Sequence, residues 1–436
     1  MATPPPPPGQ LQRRLGVVDS TAIGLGSMLG AGVFVVFSPA AALAGPLLTL
    51  AVAVAGMVAY CNAVASAQLA AKYPSSGGTY VYGRRQLGEW PGFIAGWGFV
   101  TGKTASCAAM ALTFGHYLAP GFATPVAVAA VVVLTGVNLL GITRTALLTK
   151  ILLAMVLATI VFVAAAALTG PHPAAGAAAA GNAGGQTVWG VLPAAGLIFF
   201  AFAGYARIAT LGEEVKDPGR TIPRAILAAL GGAFVIYLGL AALLQWHLPA
   251  AQLAGSTAPL LDAVNSSRLS PGAPLVQAGA AAACLGALLA LITGVGRTAM
   301  AMARERDLPA PLARVGGAHT VPITAELTVA ATVIVLLLTT NVLTVVGFSS
   351  FGVLVYYAVT NAAAFTLTSR PWHAPRWLNV LGFLGCLVLA ITLPPASMLF
   401  MAAGAGRRGG RAVPRLAGAQ DPRKHQASPS EQESRE

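Results

Sequence analysis

Charge is what this chain has least of. Asp, Glu, Lys and Arg make up 9% of its 436 residues, against roughly 25% in an ordinary soluble domain. Cysteine is almost absent too. Cys61, Cys107, Cys284 and Cys386 all fall in apolar runs, with neither metal-ligand spacing nor a disulfide framework. No run carries a Ser/His/Asp set, an HExxH motif or paired carboxylates, which argues against an enzyme. His116, His172, His247, His319, His373 and His425 scatter toward run ends and connections. No metal site or cofactor is expected.

What fills the chain is apolar: 56% of its residues are hydrophobic. The apolar runs fall at 17–44, 47–71, 92–118, 124–142, 146–169, 188–211, 224–247, 273–300, 321–340, 342–368 and 377–393, with a shorter one at 395–405. Crossing a bilayer as helix takes roughly 17 to 25 residues, so all but the last are long enough. The pattern predicts an all-α polytopic membrane protein of about 12 transmembrane helices, the last one short.

The formal net charge of +13 does not require nucleic acid, because its placement has a simpler cause. Lys and Arg occupy alternate connections: Arg13 and Arg14, then Lys72, Arg84 and Arg85, then Arg144 and Lys150, then Lys216, Arg220 and Arg224. The alternation continues with Arg304, Arg306 and Arg314, then Arg370 and Arg376, and Arg268 is the main exception. This positive-inside pattern predicts a cytoplasmic N-terminus in a bacterial cell membrane, with lipid headgroups as natural partners. Arg407, Arg408, Arg411 and Arg415 fall on the cytoplasmic side only if residues 395–405 also span, which is why twelve helices are preferred to eleven. Residues 1–14, with Pro4–Pro8, read as a disordered cytoplasmic tail, and 407–436 as a basic, then polar one.

Two apolar runs are interrupted. In the first, Gly26-Ser27-Met28-Leu29-Gly30-Ala31-Gly32-Val33-Phe34 places three glycines within seven positions. Glycine costs about 1 kcal/mol each in a helix interior. A break at bilayer depth bares N–H and C=O groups that hydrocarbon cannot satisfy, so it belongs where it lines a cavity or meets a polar ligand. Gly26 and Gly30 also form a GxxxG pair, so close helix packing is an equal alternative on these residues alone. A dinucleotide loop does not fit, since no strand precedes the glycines. The sixth run has its own break, Phe199-Phe200-Ala201-Phe202-Ala203-Gly204-Tyr205-Ala206-Arg207. Each break opens a set of five runs, and five is odd, so the sets 15–169 and 188–368 would be inverted repeats, followed by helices 11 and 12 at 377–405.

The first break resembles the first helix of the amino acid–polyamine–organocation permeases. Tyr73-Pro74-Ser75-Ser76-Gly77-Gly78-Thr79-Tyr80 is similar to that family's loop between helices two and three. Gly212 to Ala225, GEEVKDPGRTIPRA, is similar to the loop after helix six, and Met302-Ala303-Arg304-Glu305-Arg306-Asp307-Leu308-Pro309 to the segment closing helix eight. Together the matches cover residues 15 to 395. The resemblance implies a LeuT-like bundle with broken helices 1 and 6, which moves an amino acid by alternating access on a proton gradient. It implies carboxylate-binding N–H groups at Gly30, Ala31 and Gly32, and ammonium-binding carbonyls at Met28, Phe202, Ala203 and Gly204. Phe200 stands where the family often closes its site with an aromatic, and Tyr205 is a weaker candidate for the pocket lining. Phe200 is equally readable as a lipid- or core-facing side chain.

Two positions depart from the family. Many proton-coupled members carry a lysine on helix five, where this chain has Val156; Lys150, a turn and a half earlier, reads as an interfacial, snorkelling residue. Members that take cationic amino acids often place a carboxylate just after the helix-six break, where this chain has Ala206 and Arg207. A neutral substrate side chain is therefore expected. Lys103, deep in the third run, costs roughly 2.5–3.5 kcal/mol to insert. It is the proton-coupling candidate, the competing reading being a structural lysine bonded to carbonyls or water. Arg207, with Glu213 or Glu214, is expected to form a cytoplasmic gate, unless it merely snorkels. An exchanger using the same breaks, or a membrane sensor that binds amino acids without moving them, remain open alternatives.

Overall fold

A computed structural model of the chain describes residues 15–30, 32–74, 78–140, 146–170, 188–209, 214–316, 321–369 and 374–393. Ala31, Glu213, the short run at 395–405 and both tails, 1–14 and 407–436, lie outside the described residues. Within them the chain is helix and connection, with isolated bridges between Leu15 and Val215 and between Gly316 and Val321.

The first run forms three pieces, α1 (Val17–Met28), α2 (Gly32–Val35) and α3 (Phe37–Ala44). Then come α4 (Leu48–Lys72), α5 (Gly78–Leu87), α6 (Glu89–Leu118), α7 (Ala123–Leu139) and α8 (Ala146–Thr169). The sixth run is α9 (Val191–Phe202), a 3-10 turn (Ala203–Tyr205) and α10 (Ala206–Ala209). It is followed by α11 (Pro218–His247), α12 (Ala250–Gly255), α13 (Pro259–Asn265), α14 (Ala273–Arg304), α15 (Ile323–Thr339), α16 (Val342–Phe365) and α17 (Arg376–Thr392). Among the described residues, eight helical stretches are long and apolar enough to cross a membrane, and α15 and α17 are shorter apolar helices. The protein is an all-α, multi-pass membrane protein.

The centre of the bundle is α6. Its 30 residues make a rod of about 45 Å, and every residue from Gly102 to Thr113 is buried. A helix enclosed on all sides need not present a lipid-like surface, which is why it tolerates glycines, hydroxyls and Lys103. It crosses α16 at a glycine contact. A Cβ at Gly352 would lie 2.6 Å from the Gly98 carbonyl oxygen and 2.8 Å from the Gly102 Cα. One turn on, the Ser106 and Ser349 hydroxyls pair at 2.6 Å. Close backbone approach plus an interhelical hydrogen bond is how helices associate where lipid competes for apolar contact.

The broken runs pack beside this centre. α1 lies against α11, α8, the 3-10 turn and α10, while α9 lies against α4, α3 and α16. The entry to α1 is pinned at two points. The Leu15 N–H donates to the Glu214 carbonyl at 3.0 Å, and the Lys216 N–H donates to the Leu15 carbonyl at 2.9 Å. Lys150 on α8, read above as merely interfacial, pairs with Asp19 of α1 at 2.5 Å.

Candidate functional site

Both sequence-predicted breaks are real, and they touch. α1 stops at Met28, where Leu29 caps it by donating to the Leu25 carbonyl. Helix resumes at Gly32. In the sixth run the backbone tightens into a 3-10 turn over Ala203–Tyr205. A Cβ at Gly204 would sit 2.5 Å from the Met28 nitrogen, and one at Gly32 would sit 2.8 Å from the Ala201 Cα. Only glycine permits this approach of one broken backbone to the other. Gly30 faces a third element: its Cβ would lie 3.0 Å from the Cβ of Ala287 on α14. Met28, Gly30, Gly32, Phe200, Phe202, Ala203 and Tyr205 are all buried, and Gly204 is partly so.

The carbonyls freed at the breaks are spoken for by side chains of neighbouring helices. The Tyr237 hydroxyl on α11 donates to the Met28 carbonyl at 2.6 Å and also approaches the Ala201 carbonyl at 3.2 Å. With one proton to give, it bonds mainly to the nearer oxygen. The Lys103 ammonium donates to the Ala203 carbonyl at 3.4 Å, the long end of the hydrogen-bond range. Tyr117 closes the far side of the first break: its hydroxyl donates to the Phe34 carbonyl at 3.1 Å and accepts the Leu260 N–H at 3.3 Å. Two of the four carbonyls named from sequence, those of Met28 and Ala203, thus have a donor from this chain itself.

The aromatics divide into two groups. Phe202 meets Tyr237 edge-on at 5.0 Å and lies 6.4 Å from Phe234. Tyr205 stacks on Tyr357 of α16 at 5.1 Å, and Tyr357 meets Phe199 edge-on at 5.7 Å. Tyr205 therefore braces α16. Phe200 is buried at the break without joining either group.

Charge surrounds the sixth break on the side of α10. Arg207 of α10 is exposed, and it feels the charges of Glu214 and Arg297. Its expected second partner, Glu213, lies outside the described residues.

A second charged cluster joins two of the sequence motifs. Arg84 of α5 donates to the Asp307 carboxylate at 2.9 Å, and the Tyr80 hydroxyl donates to the same oxygen at 2.9 Å. Arg84 also lies 3.6 Å from Glu305 and 3.8 Å from Glu89. The Asp307 side chain is fully buried. Burial first, then the Asp307 carboxylate, holds the Tyr80 phenol protonated well above its ordinary range. This clasp ties the connection between α4 and α6 to the end of α14. The motifs were visible in the sequence, but nothing in either one says that they meet.

Sequence reasoning missed Tyr237, Tyr117 and the buried carboxylate Glu326 on α15. The two tyrosines sit in apolar runs with no motif about them. Glu326 was legible as the single acid of its run.

The amino acid permease family model matches residues 15–411. An uncharacterized transporter of Mycobacterium tuberculosis is 54% identical to this chain, over 90% of it and 88% of the relative. A branched-chain amino acid permease of Bacillus subtilis is 28% identical over 72% of each chain. The chloroplastic cationic amino acid transporter 7 of Arabidopsis thaliana is 29% identical over 84% of this chain and 68% of its own length.

Proposed function

This chain belongs to the amino acid permease family, and from that premise we propose that it is a proton-coupled secondary transporter whose substrate side chain is neutral. That the protein transports amino acids and is not an enzyme follows from the family; substrate class and coupling are the proposal. One observation carries it: the charged groups bonded to or lying on the sixth break, Lys103 and Arg207, are both cationic. A cationic side chain bound there would meet like charge, and beside the buried Lys103 that repulsion is strong. The branched-chain permease among the relatives agrees with this reading better than the cationic transporters do.

In this reading the substrate carboxylate docks on N–H groups at Gly30 to Gly32, since the opening turn of a helix favours an anion. The substrate ammonium goes to the sixth break. There the Ala203 carbonyl holds Lys103 at 3.4 Å, so the lysine ammonium stands in for the substrate's own while the site is empty. An arriving ammonium competes with Lys103 for that oxygen, and a lysine displaced from its acceptor yields its proton more easily. Substrate and proton would thus be linked at one carbonyl. The reading takes residues 15–169 and 188–368 as inverted five-helix repeats in a LeuT-like bundle, with one break in each. It takes the N-terminus and the Arg84–Asp307 clasp as cytoplasmic, on the distribution of Lys and Arg.

The test is uptake of labelled leucine, alanine, lysine and arginine into proteoliposomes, with and without an inward proton gradient. Gradient-driven accumulation of a neutral amino acid, abolished in Lys103→Met with exchange retained, is the expected result. Accumulation of arginine in preference to leucine overturns the neutral assignment. Movement only into preloaded vesicles would mean an exchanger, and binding without movement a sensor.

A further inference from the structure

Lys103 is not the only ionisable group out of water in this bundle. Glu326 stands in the first turn of α15. It is fully buried, and among the described residues neither of its carboxylate oxygens has a hydrogen-bond partner. Room for it comes from α14, where a Cβ at Gly296 would lie 2.8 Å from the Glu326 Cγ. An acid in a first helical turn is often a dipole or capping partner, but here neither oxygen reaches a backbone N–H. A carboxylate ion without donors is among the costliest groups to bury, and such a site accommodates the neutral acid instead.

The charges around it are few. α15 packs on α14, α6, α7 and the turn at Ala310–Ala313. α7 and the turn carry no ionisable side chain, and α6 carries Glu89, Lys103, Cys107, His116 and Tyr117. On α14 stand Cys284, Arg297 and Arg304. Of these, Arg297 is the one whose charge acts on Glu326, and it does so without an ion-pair contact. Arg297 is exposed, and its charge also acts on Arg207, next to the sixth break.

We propose that Glu326 is a second protonation site, neutral while α14 and α15 are packed together and ionised, paired with Arg297, once they part. The step is a simple acid dissociation: the Glu326 O–H bond breaks, the proton passes to water entering between the helices, and the carboxylate keeps the electron pair. Protonation from that side then favours the packed state. Ionisation favours the parted one and draws Arg297 away from Arg207, so the state of this inner end is felt at the break.

Two experiments test it. The first is independent of transport: infrared difference spectra between neutral and alkaline pH, on the full chain in lipid. The carbonyl stretch of a protonated carboxyl group is expected at neutral pH in the wild type and missing in Glu326→Gln. Its absence from the wild type overturns the proposal. The second rests on the transport reading above and measures leucine counterflow, which moves no net proton, against pH in a Lys103→Met background. The rate is expected to rise about tenfold per pH unit at most, the limit for one proton. It is expected to go flat in Glu326→Gln, at the low-pH level, and to keep its slope in Glu326→Asp. An unchanged slope in Glu326→Gln overturns the proposal, and so does loss of counterflow in both Glu326 variants, since that marks a structural residue. Absence of counterflow in the wild type, with the infrared band present, would sink the transport reading and leave the protonation site standing.

Discussion

Asp307 and Glu326 are both carboxylates with fully buried side chains, and both lie against the second half of α14 or just beyond its end. They could hardly be treated more differently. Asp307 takes a guanidinium and a phenol on one oxygen, each at 2.9 Å. Glu326 takes no hydrogen bond from the described residues and rests in a gap left by Gly296. Burial alone therefore does not say what an acid is for. A buried carboxylate with donors is a joint, holding two segments at one relative position. A buried carboxylate without donors is poised to exchange its proton when its surroundings change.

The largest effect that would sharpen this contrast comes from removing the two acids in turn. Asp307→Ala strands Arg84, itself mostly buried, and breaking a buried pair costs about 3–5 kcal/mol. Because Arg84 retains Glu305 and Glu89 within 3.8 Å, the low end is expected, read as a loss of thermal stability in detergent. Glu326→Leu removes an unpartnered polar group and is expected to be neutral or stabilising by about 1 kcal/mol. Equal losses from the two variants would erase the distinction.

A smaller effect is expected where the two breaks meet. Gly204→Ala places a methyl 2.5 Å from the Met28 nitrogen, and overpacking of this kind costs about 1–3 kcal/mol. The two backbones must separate to admit it, so substrate transport should fall further than stability does. Tyr237→Phe keeps the ring but leaves the buried Met28 carbonyl without its 2.6 Å donor, a cost of about 1–2 kcal/mol. If the breaks form the substrate site, this variant frees an acceptor, and leucine affinity should hold or rise while stability drops. A parallel loss of both would make Met28 a structural carbonyl only.

The sequence carried the breaks because glycine marks them. Gly32 and Gly204 sit where a side chain would strike the other break's backbone, and Gly30 where one would crowd Ala287, and such constraints write themselves into the chain. The spans were legible for a similar reason, since lipid imposes a length and a composition. Partnership was not legible. Lys103 was conspicuous as a charge in an apolar run, yet nothing local says that its ammonium reaches Ala203, a hundred residues on. Arg84 and Asp307 each stood in a noticed motif, but their contact spans 223 positions. Tyr237 was invisible, because a tyrosine among leucines and alanines has no local sign that its hydroxyl serves another helix. Lys150 was legible as an interfacial lysine, and it is exposed, but its partner Asp19 on α1 was not.

That last pair gives the smallest effect and the sharpest control on the comparison. Lys150 and Asp19 approach to 2.5 Å, closer than Arg84 and Asp307 at 2.9 Å. Distance alone would rank it the stronger joint. Exposure reverses the order: the Lys150 and Asp19 side chains are 47% and 29% accessible, against 20% and 0% for the clasp. Water screens an open pair, and such bridges are worth about 0.2–1 kcal/mol. Asp19 also keeps the Gly16 N–H at 3.3 Å when the lysine is gone. Lys150→Met should thus cost well under the Asp307→Ala loss, and a double-mutant cycle with Asp19→Asn should give a coupling that shrinks as salt is raised. The Arg84–Asp307 coupling should hardly respond to salt. If both couplings fall together, solvent reaches the clasp as freely as it reaches α1, and burial is not what separates them.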